Sequence, residues 1–312
     1  MQAVFRPFRQ RWLGYLAYGL VLAALFLWVL FPREQLRRAL SAQLSAWYPA
    51  LSWRVGAVEP GLPLELRVET VEGLLPGEER VLVRLQRVVL WPDLRASWRN
   101  RCLQGGFRLE LGQGQCTGSW QRYRTGPVAW IVRSRIEAVD LAGWPLLSRE
   151  LEREVQGRVE GTCTLAGAAG DGRLDHVAAE LRIVQGRIGL QQRLLGYRFF
   201  PFTQATVKVF GQGKRWEIVD GVIEGERFTC SFAGALTGGK GSLLEADLDL
   251  RGVLQPGTGF FQNGEQAAAV RALRARMGEA GLPFRISGAL SRPGVHFGPL
   301  GALVRILEEE LR

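Results

Sequence analysis

Hydrophobic and polar residues alternate strictly in many short stretches that follow residue 49. FRLEL, residues 107–111, places its Phe and two Leu side chains on one side of an extended strand, with Arg and Glu on the other. The same period of two occurs in LELRVET (64–70), RVEGTCTL (158–165), RFTCSF (227–232) and LLEADLDLRG (243–252). Such alternation is typical of antiparallel strands with one apolar and one solvated face. The pattern predicts a mainly β domain, built on an elongated, twisted antiparallel sheet with a few short helices.

A different period marks the predicted helices. Residues 33–48, REQLRRALSAQLSAWY, repeat leucine at every fourth position and stop before Pro49, which predicts an amphipathic linker helix docked on the start of the β domain. Three further helices, near 146–155, 264–278 and 299–311, carry apolar stripes expected to pack on the sheet, although the last stripe is also a candidate partner surface. We divide the β domain into a first part, 49–143, and a second part, 144–312.

The most hydrophobic segment precedes these elements. Residues 12–31 contain no charge, and a helix of 20 residues spans about 30 Å, the thickness of a bilayer core. Trp12, Tyr15 and Trp28 suit the two headgroup interfaces. A cleaved signal peptide would have a shorter apolar core followed closely by a small-x-small site, and the next such residues come only at 39–41. The segment therefore predicts a single transmembrane helix.

The orientation of this helix is predicted from a small difference in positive charge between its two ends. Basic residues precede and follow the segment in nearly equal number, at Arg6, Arg9, Arg11, Arg33, Arg37 and Arg38. The positive-inside rule therefore gives almost a tie, which the free amino terminus breaks. We expect residues 1–11 to form a cytoplasmic tail and the bulk of the chain to be exported to the periplasm.

Charge narrows the range of partners. The net charge is +10, and of 40 basic residues only Lys208, Lys214 and Lys240 are lysine. The arginines are spread through strand-like stretches instead of being gathered into one stripe with aromatic stacking residues, which argues against nucleic-acid binding. A membrane surface rich in anionic lipid is a better-matched neighbour.

Four cysteines, an even count in a chain expected to be exported, admit two disulfides. Cys102 with Cys116 would close a loop of about 15 residues, worth about 3 kcal/mol in the chain-entropy model. Cys163 with Cys230 would be the second pair. Both of these latter residues fall on the apolar faces of their strands, so buried free thiols remain an equal alternative.

Residues capable of catalysis are sparse and scattered. His176 and His296, the two histidines, stand alone, and Asp247 and Asp249 share one side of an exposed strand. GQGQCTG (112–118) and TGGKG (237–241) lack the spacing of a phosphate-binding loop, and no G-x-S-x-G occurs. We therefore predict no catalytic, cofactor-binding or metal-binding residue and no enzymatic activity; a polar pocket around either histidine would reopen that question.

Two stretches resemble a known family. The basic tail, the apolar helix, REQLRRALSAQL and then LSWRVGAVEPGLPLELRVETVEGLL are similar to the N-terminal arrangement of type II secretion system protein N. The ending FRISGALSRPGVHF, residues 284–297, resembles the strand, S-G-x-L-x-x-P, strand ending of that family and of the wider AsmA-like group. The resemblance implies a single-pass inner-membrane protein of a Gram-negative bacterium, a non-enzymatic accessory of type II secretion that partners other inner-membrane or periplasmic components.

The AsmA-like group implies an alternative function in lipid binding or transfer during envelope biogenesis. Its members are elongated curved sheets with an apolar inner face. In this chain the residues that would line such a groove are Leu64, Leu66, Val68, Phe228, Phe232, Leu244 and Leu248. A sheet closed on its own core explains the same alternation, so both arrangements remain open on the sequence alone.

Overall fold

The structure, a computed structural model, describes residues 30–62, 64–126, 128–151, 153–168, 174–194, 197–238, 246–257, 281–290 and 292–298, together with residues 15, 18, 19, 22 and 26. Within these residues no helix is long and apolar enough to cross a membrane. Most of the predicted transmembrane segment 12–31 lies outside the described residues, as do the tail 1–11 and the predicted helices 264–278 and 299–311.

Antiparallel strands dominate the described chain, which confirms the mainly β prediction. Their bounds are β1 Ser52–Val55, β2 Val58–Gly61, β3 Glu65–Val68, β4 Val71–Leu74, β5 Val81–Leu85, β6 Arg87–Pro92, β7 Leu103–Leu111, β8 Gly114–Arg122, β9 Val128–Asp140, β10 Val155–Ala168, β11 Leu174–Leu194, β12 Tyr197–Gln212, β13 Arg215–Glu224, β14 Phe228–Thr237, β15 Asp247–Pro256, β16 Leu282–Ala289 and β17 Gly294–Phe297.

These strands form one large sheet and one small one. The large sheet has 14 strands in the order β17 to β6, followed by β3 and β2. From β6 onward each strand pairs with the next along the chain, so the sheet is a long meander. Strands β9 and β10, on either side of the predicted division at residue 144, are paired neighbours, and the large sheet continues across it. The small sheet has the order β1, β4, β5.

Tight turns join successive strands of the meander. In GQGQCTG the pair Gly112 and Gln113 joins β7 to β8, and Leu111 pairs with Gly114 across the turn. Gly112 has φ +63°, a value that a two-residue hairpin turn of the primed type requires and that glycine adopts without strain. This glycine-rich stretch is therefore a hairpin turn followed by the first residues of β8.

In the described ranges from residue 30 onward, three α-helices accompany the sheets: α1 Arg33–Trp47, α2 Leu94–Asn100 and α3 Pro145–Glu150. The linker helix predicted at 33–48 is confirmed as α1. The helix predicted near 146–155 is too long, since α3 ends at Glu150 and Val155 already pairs with Ile188 in the large sheet. The backbone of Val155 gains its hydrogen bonds from the ladder, which a helix there would forfeit. Helix α2 was not predicted.

Helix α1 and the small sheet cover the first strands of the large sheet. The leucine stripe of α1, at Leu36, Leu40 and Leu44, packs against a buried cluster of valines that includes Val58 and Val68. A second cluster buries Leu51, Leu82 and Val83 within the small sheet and reaches Leu146 of α3. The predicted docking of α1 at the start of the β domain is thus observed.

Candidate functional site

The apolar residues of successive strands in the large sheet lie opposite one another and merge into one surface, called here the apolar face. One row of directly paired residues crosses all 14 strands. From β2 to β17 it contains Val58, Val68, Val88, Leu109, Cys116, Ile136, Gly161, Leu181, Val207, Gly221, Phe232, Gly252, Phe284 and Phe297. No member of this row is charged or hydrogen-bonding in its side chain except the thiol of Cys116.

Aromatic rings on this face lie across glycines of the neighbouring strand. A Cβ added to Gly118 would come within 2.6 Å of the Phe107 ring, so the ring occupies the space that the glycine leaves free. The same arrangement recurs in several pairs, which include Phe107 with Gly118, Trp120 with Gly105, Trp216 with Gly211, Phe232 with Gly221 and Phe284 with Gly252. Rings held this way stabilise strands that glycine alone would weaken.

The apolar face contains both buried and half-buried residues. Val68 in β3 is 2% exposed, and Leu282 in β16 is 1% exposed. Over strands β8 to β13 many residues of the face are only partly shielded from solvent, although Val139, Val159, Val177 and Ala205 are buried. The half-buried residues there are Cys116, Val132, Ile136, Cys163, Leu165, Ala179, Leu181, Val207, Val209 and Ile218. An accessible apolar stretch of this kind marks a candidate binding surface.

The size of the half-buried stretch limits what it can hold. Strands β8 to β13 are separated by five spacings of about 4.8 Å, which gives about 24 Å across the sheet. The acyl chains of one leaflet contribute roughly 15 Å to a bilayer core about 30 Å thick. The stretch is therefore long enough for a lipid tail or an extended apolar peptide.

The groove residues expected from the sequence fall mostly outside this half-buried stretch. Phe228 and Leu248 are buried, Leu66 packs against the α1 cluster, and Leu64 is exposed in a turn. Phe232 is half-buried, and Leu244 lies outside the described residues. Sequence reasoning missed the central positions, although the alternation in TVKVF, residues 206–210, carries the same signal.

The opposite face of the large sheet is polar and held by exposed ion pairs. Lys208 Nζ lies 3.4 Å from Glu180 Oε1 on the neighbouring strand. Arg285 donates two hydrogen bonds to Asp249, of 2.7 and 3.0 Å, and these hold the pKa of the Asp249 carboxyl below its usual range. Asp249 is thus engaged by arginine and does not form an acid and base pair with Asp247.

Both histidines are exposed residues of strands in the large sheet. His176 is exposed and pairs across the sheet with Ala166 and Gln212, and His296 is exposed opposite Arg285. Among the described residues no group of three His, Cys, Asp or Glu side chains is arranged to hold a metal ion.

All four cysteines are free thiols, and the sheet register keeps the candidate pairs apart. Leu103, next to Cys102, pairs with Arg122, whereas Cys116 pairs with Leu109, six positions along β7. Six residues of strand span about 20 Å, and a disulfide needs Cα atoms within about 7 Å. Cys163 and Cys230 lie in β10 and β14, four strand spacings or about 19 Å apart.

Three of the thiols lie on the apolar face, where burial disfavours the thiolate. Burial raises the pKa of Cys116 and Cys163, and it raises the pKa of Cys230 from 9.0 to about 12. The Ser134 hydroxyl, which donates to the Cys163 carbonyl oxygen at 3.3 Å, partly offsets the effect at Cys116. These thiols are therefore poor nucleophiles and poor metal ligands at neutral pH.

The raised pKa of Cys230 predicts a loss of stability in alkali. The folded protein holds this proton more tightly than the unfolded chain, so the stabilising contribution is complete below pH 9.0 and is lost as pH rises towards about 12. Between pH 8 and pH 10 the free energy of unfolding should fall by about 1 kcal/mol more in the wild type than in Cys230→Ala. Urea titrations at the two pH values measure this, and equal losses in both proteins would contradict it.

Comparisons of the chain with protein-family models, with curated proteins and with solved structures found no match. The family resemblance therefore rests on the residue patterns alone. What the geometry itself defines is a long antiparallel sheet with a polar face and a partly accessible apolar face.

Proposed function

We propose that this chain is a non-enzymatic, single-pass inner-membrane protein that serves as an accessory structural component of a type II protein secretion system. Residues 12–31 are its membrane anchor, and the β domain is its periplasmic working part. Its partners are other inner-membrane or periplasmic components of the same system. The proposal combines the residue patterns at the two ends of the chain with the way the sheet connects them.

The observation that carries this proposal is the continuity of the large sheet between those two ends. Strand β3, from the N-terminal stretch, lies beside one edge and packs on α1, while FRISGALSRPGVHF supplies β16 and β17 at the other edge. Thirteen spacings of about 4.8 Å give about 60 Å, measured along the sheet from β2 to β17. A sheet of that extent beside a membrane anchor suits a scaffold that reaches from the bilayer towards partner proteins.

Deletion of the gene tests the secretion proposal. Folded enzymes destined for secretion should accumulate in the periplasm of the deletion strain, and the full chain supplied in trans should restore their release. A resident periplasmic enzyme serves as the control, because it should stay in place in both strains if the envelope is intact. Normal secretion in the deletion strain would reject the proposal.

A second candidate function, the binding of lipid acyl chains, is favoured by the half-buried centre of the apolar face. Its rows of valine, leucine and isoleucine are partly accessible over strands β8 to β13, and the aromatic rings beside them lie across glycines. When an acyl chain displaces water from an apolar surface of this extent, the free energy of the system falls. Phospholipid should then co-purify with the full chain in mild detergent, and its reproducible absence would reject this candidate.

A further inference from the structure

Helix α2 presents its apolar residues to solvent. Leu94 is 61% exposed and Trp98 is 89% exposed, and the two lie one turn apart on the same side of the helix. Ala96 and Ser97, on the other side, are the residues that turn towards the sheet. A helix on a globular protein normally turns its apolar side inwards, so the orientation of α2 is reversed.

Polar contacts hold α2 in this orientation. The Asp93 carboxylate accepts a hydrogen bond of 2.8 Å from the Ala96 amide and caps the helix. Ser97 Oγ donates to the Gln104 carbonyl oxygen at 3.3 Å and accepts from the Gln104 amide at 3.1 Å. Asn100 donates to the Gln104 side chain at 3.3 Å. The helix is therefore fixed to β7 without using Leu94 or Trp98, which remain available to a partner.

Three more exposed leucines lie at the same end of the large sheet. Leu62 and Leu64, in the turn from β2 to β3, are 81% and 51% exposed, and Leu103 at the start of β7 is 51% exposed. Leu64 and Leu94 line the same surface cleft, which places the turn beside α2. Leu62, Leu64, Leu94, Trp98 and Leu103 are called here the apolar tip.

Three exposed arginines flank the apolar tip on the side of α2. Arg95, Arg99 and Arg101 are exposed on α2 and at its end, and Asp93, the acidic residue nearest to them in sequence, is engaged in capping. None of the ion pairs among the described residues involves these three arginines. Arg95 shares the cleft with Glu59, Glu65 and Glu69, but it forms no ion pair with them. The surface therefore combines projecting apolar side chains with three exposed arginines that are free to bind an anionic partner.

We propose that the apolar tip inserts into the interfacial region of an anionic lipid bilayer, with Arg95, Arg99 and Arg101 contacting the lipid phosphates. Tryptophan and leucine at a protruding end match the chemistry of the headgroup and acyl boundary. The three arginines supply charge complementarity to an anionic surface. The exposed apolar residues come from separate elements and project outwards, which suits penetration into lipid.

Quenching of Trp98 by brominated phosphatidylcholine tests this proposal. The full chain is held in nanodiscs by its apolar N-terminal segment, and brominated lipid is placed either in the nanodisc or in added vesicles. Each bilayer contains phosphatidylcholine alone or one part phosphatidylglycerol to two parts phosphatidylcholine. The first placement detects insertion into the bilayer that carries the chain, and the second detects insertion into an opposed bilayer.

We expect Trp98→Phe to remove a quenched component that depends on phosphatidylglycerol, and Trp53→Phe, in the small sheet, to leave that component unchanged. Arg95→Gln and Arg99→Gln should each weaken vesicle binding about fivefold when the opposed bilayer is the target. For the bilayer that carries the chain, the two variants should lower the quenched fraction. Equal quenching of wild type and Trp98→Phe in both placements and both lipid compositions would overturn the proposal and would favour a protein partner for the tip.

Discussion

Replacing Gly161 with alanine should lower the free energy of unfolding by about 3 kcal/mol, because two costs of about 1 to 3 kcal/mol coincide there. Gly161 has φ +148°, a conformation that residues with a Cβ rarely adopt. A Cβ would also overlap the carbonyl oxygen of Glu180 and lie 3.0 Å from Leu181 Cα. Both are backbone atoms of a paired strand, so a side-chain rotation cannot relieve the overlap.

The position of Gly161 within the sheet explains why it is so constrained. The register between β9 and β10 shifts between Val159 and Gly161, and Ala138 on the partner strand has φ +50°. These are the marks of a β-bulge, which restores the alternation of faces after an extra residue. The row that contains Ile136 and Leu181 continues across the sheet because Gly161 allows the close approach.

Two other glycines provide matched controls for Gly161→Ala. Gly126 has φ +117° with no atom within 4 Å of an added Cβ, so Gly126→Ala should show a conformational cost without a clash. Gly143 has neither feature, and Gly143→Ala should leave stability unchanged within about 0.5 kcal/mol. Urea unfolding of the full chain in mild detergent, followed by tryptophan fluorescence, measures all three. If Gly161→Ala is as stable as Gly143→Ala, β11 does not approach Gly161 as closely as the structure shows.

Local patterns in the sequence were sufficient to predict many of the strands and helix α1. The alternation around Cys163 and Phe232 and the leucines of α1 each depend on residues close together in the chain. The sequence pattern does not predict helix α2, because its seven residues carry no inward apolar stripe. Leu94 and Trp98 face solvent, and hydrogen bonds of Asp93 and Ser97 hold the helix in place. The predicted length of helix α3 is too great because the backbone of Val155 hydrogen-bonds to β11 in the large sheet.

The candidate site was less accessible to sequence reasoning than the strands. Alternation shows that Leu181 and Val207 lie on an apolar face. It does not show that α1 and the small sheet cover Val58 and Val68, whereas Leu181 and Val207 stay half-buried. Burial of that kind depends on contacts between distant parts of the chain. The same limit applies to the cysteines, whose pairing is excluded only once the register between strands is known.

Replacing Val207 with glutamate should reduce the phospholipid that co-purifies with the chain at least about tenfold if the apolar face binds acyl chains. Val207 lies in the half-buried centre, directly opposite Leu181 and Gly221. Without lipid, water reaches a carboxylate at this position, but a bound acyl chain would remove that water and leave the charge unpaired. The lipid complex should therefore be weakened more than the fold.

Thr206→Glu is the matched control, because Thr206 is adjacent in β12 and pairs with Arg182 and Val222 on the polar face. It adds the same charge to the same strand and should leave the lipid content unchanged. Lipid extraction followed by mass spectrometry gives the content, and thermal unfolding of both variants separates lost binding from lost folding. Val207→Thr, which changes polarity with little change in volume, should give an intermediate loss. Equal lipid content in Val207→Glu and Thr206→Glu would exclude the apolar face as the lipid site. This conclusion would hold whichever of the two variants is the more stable.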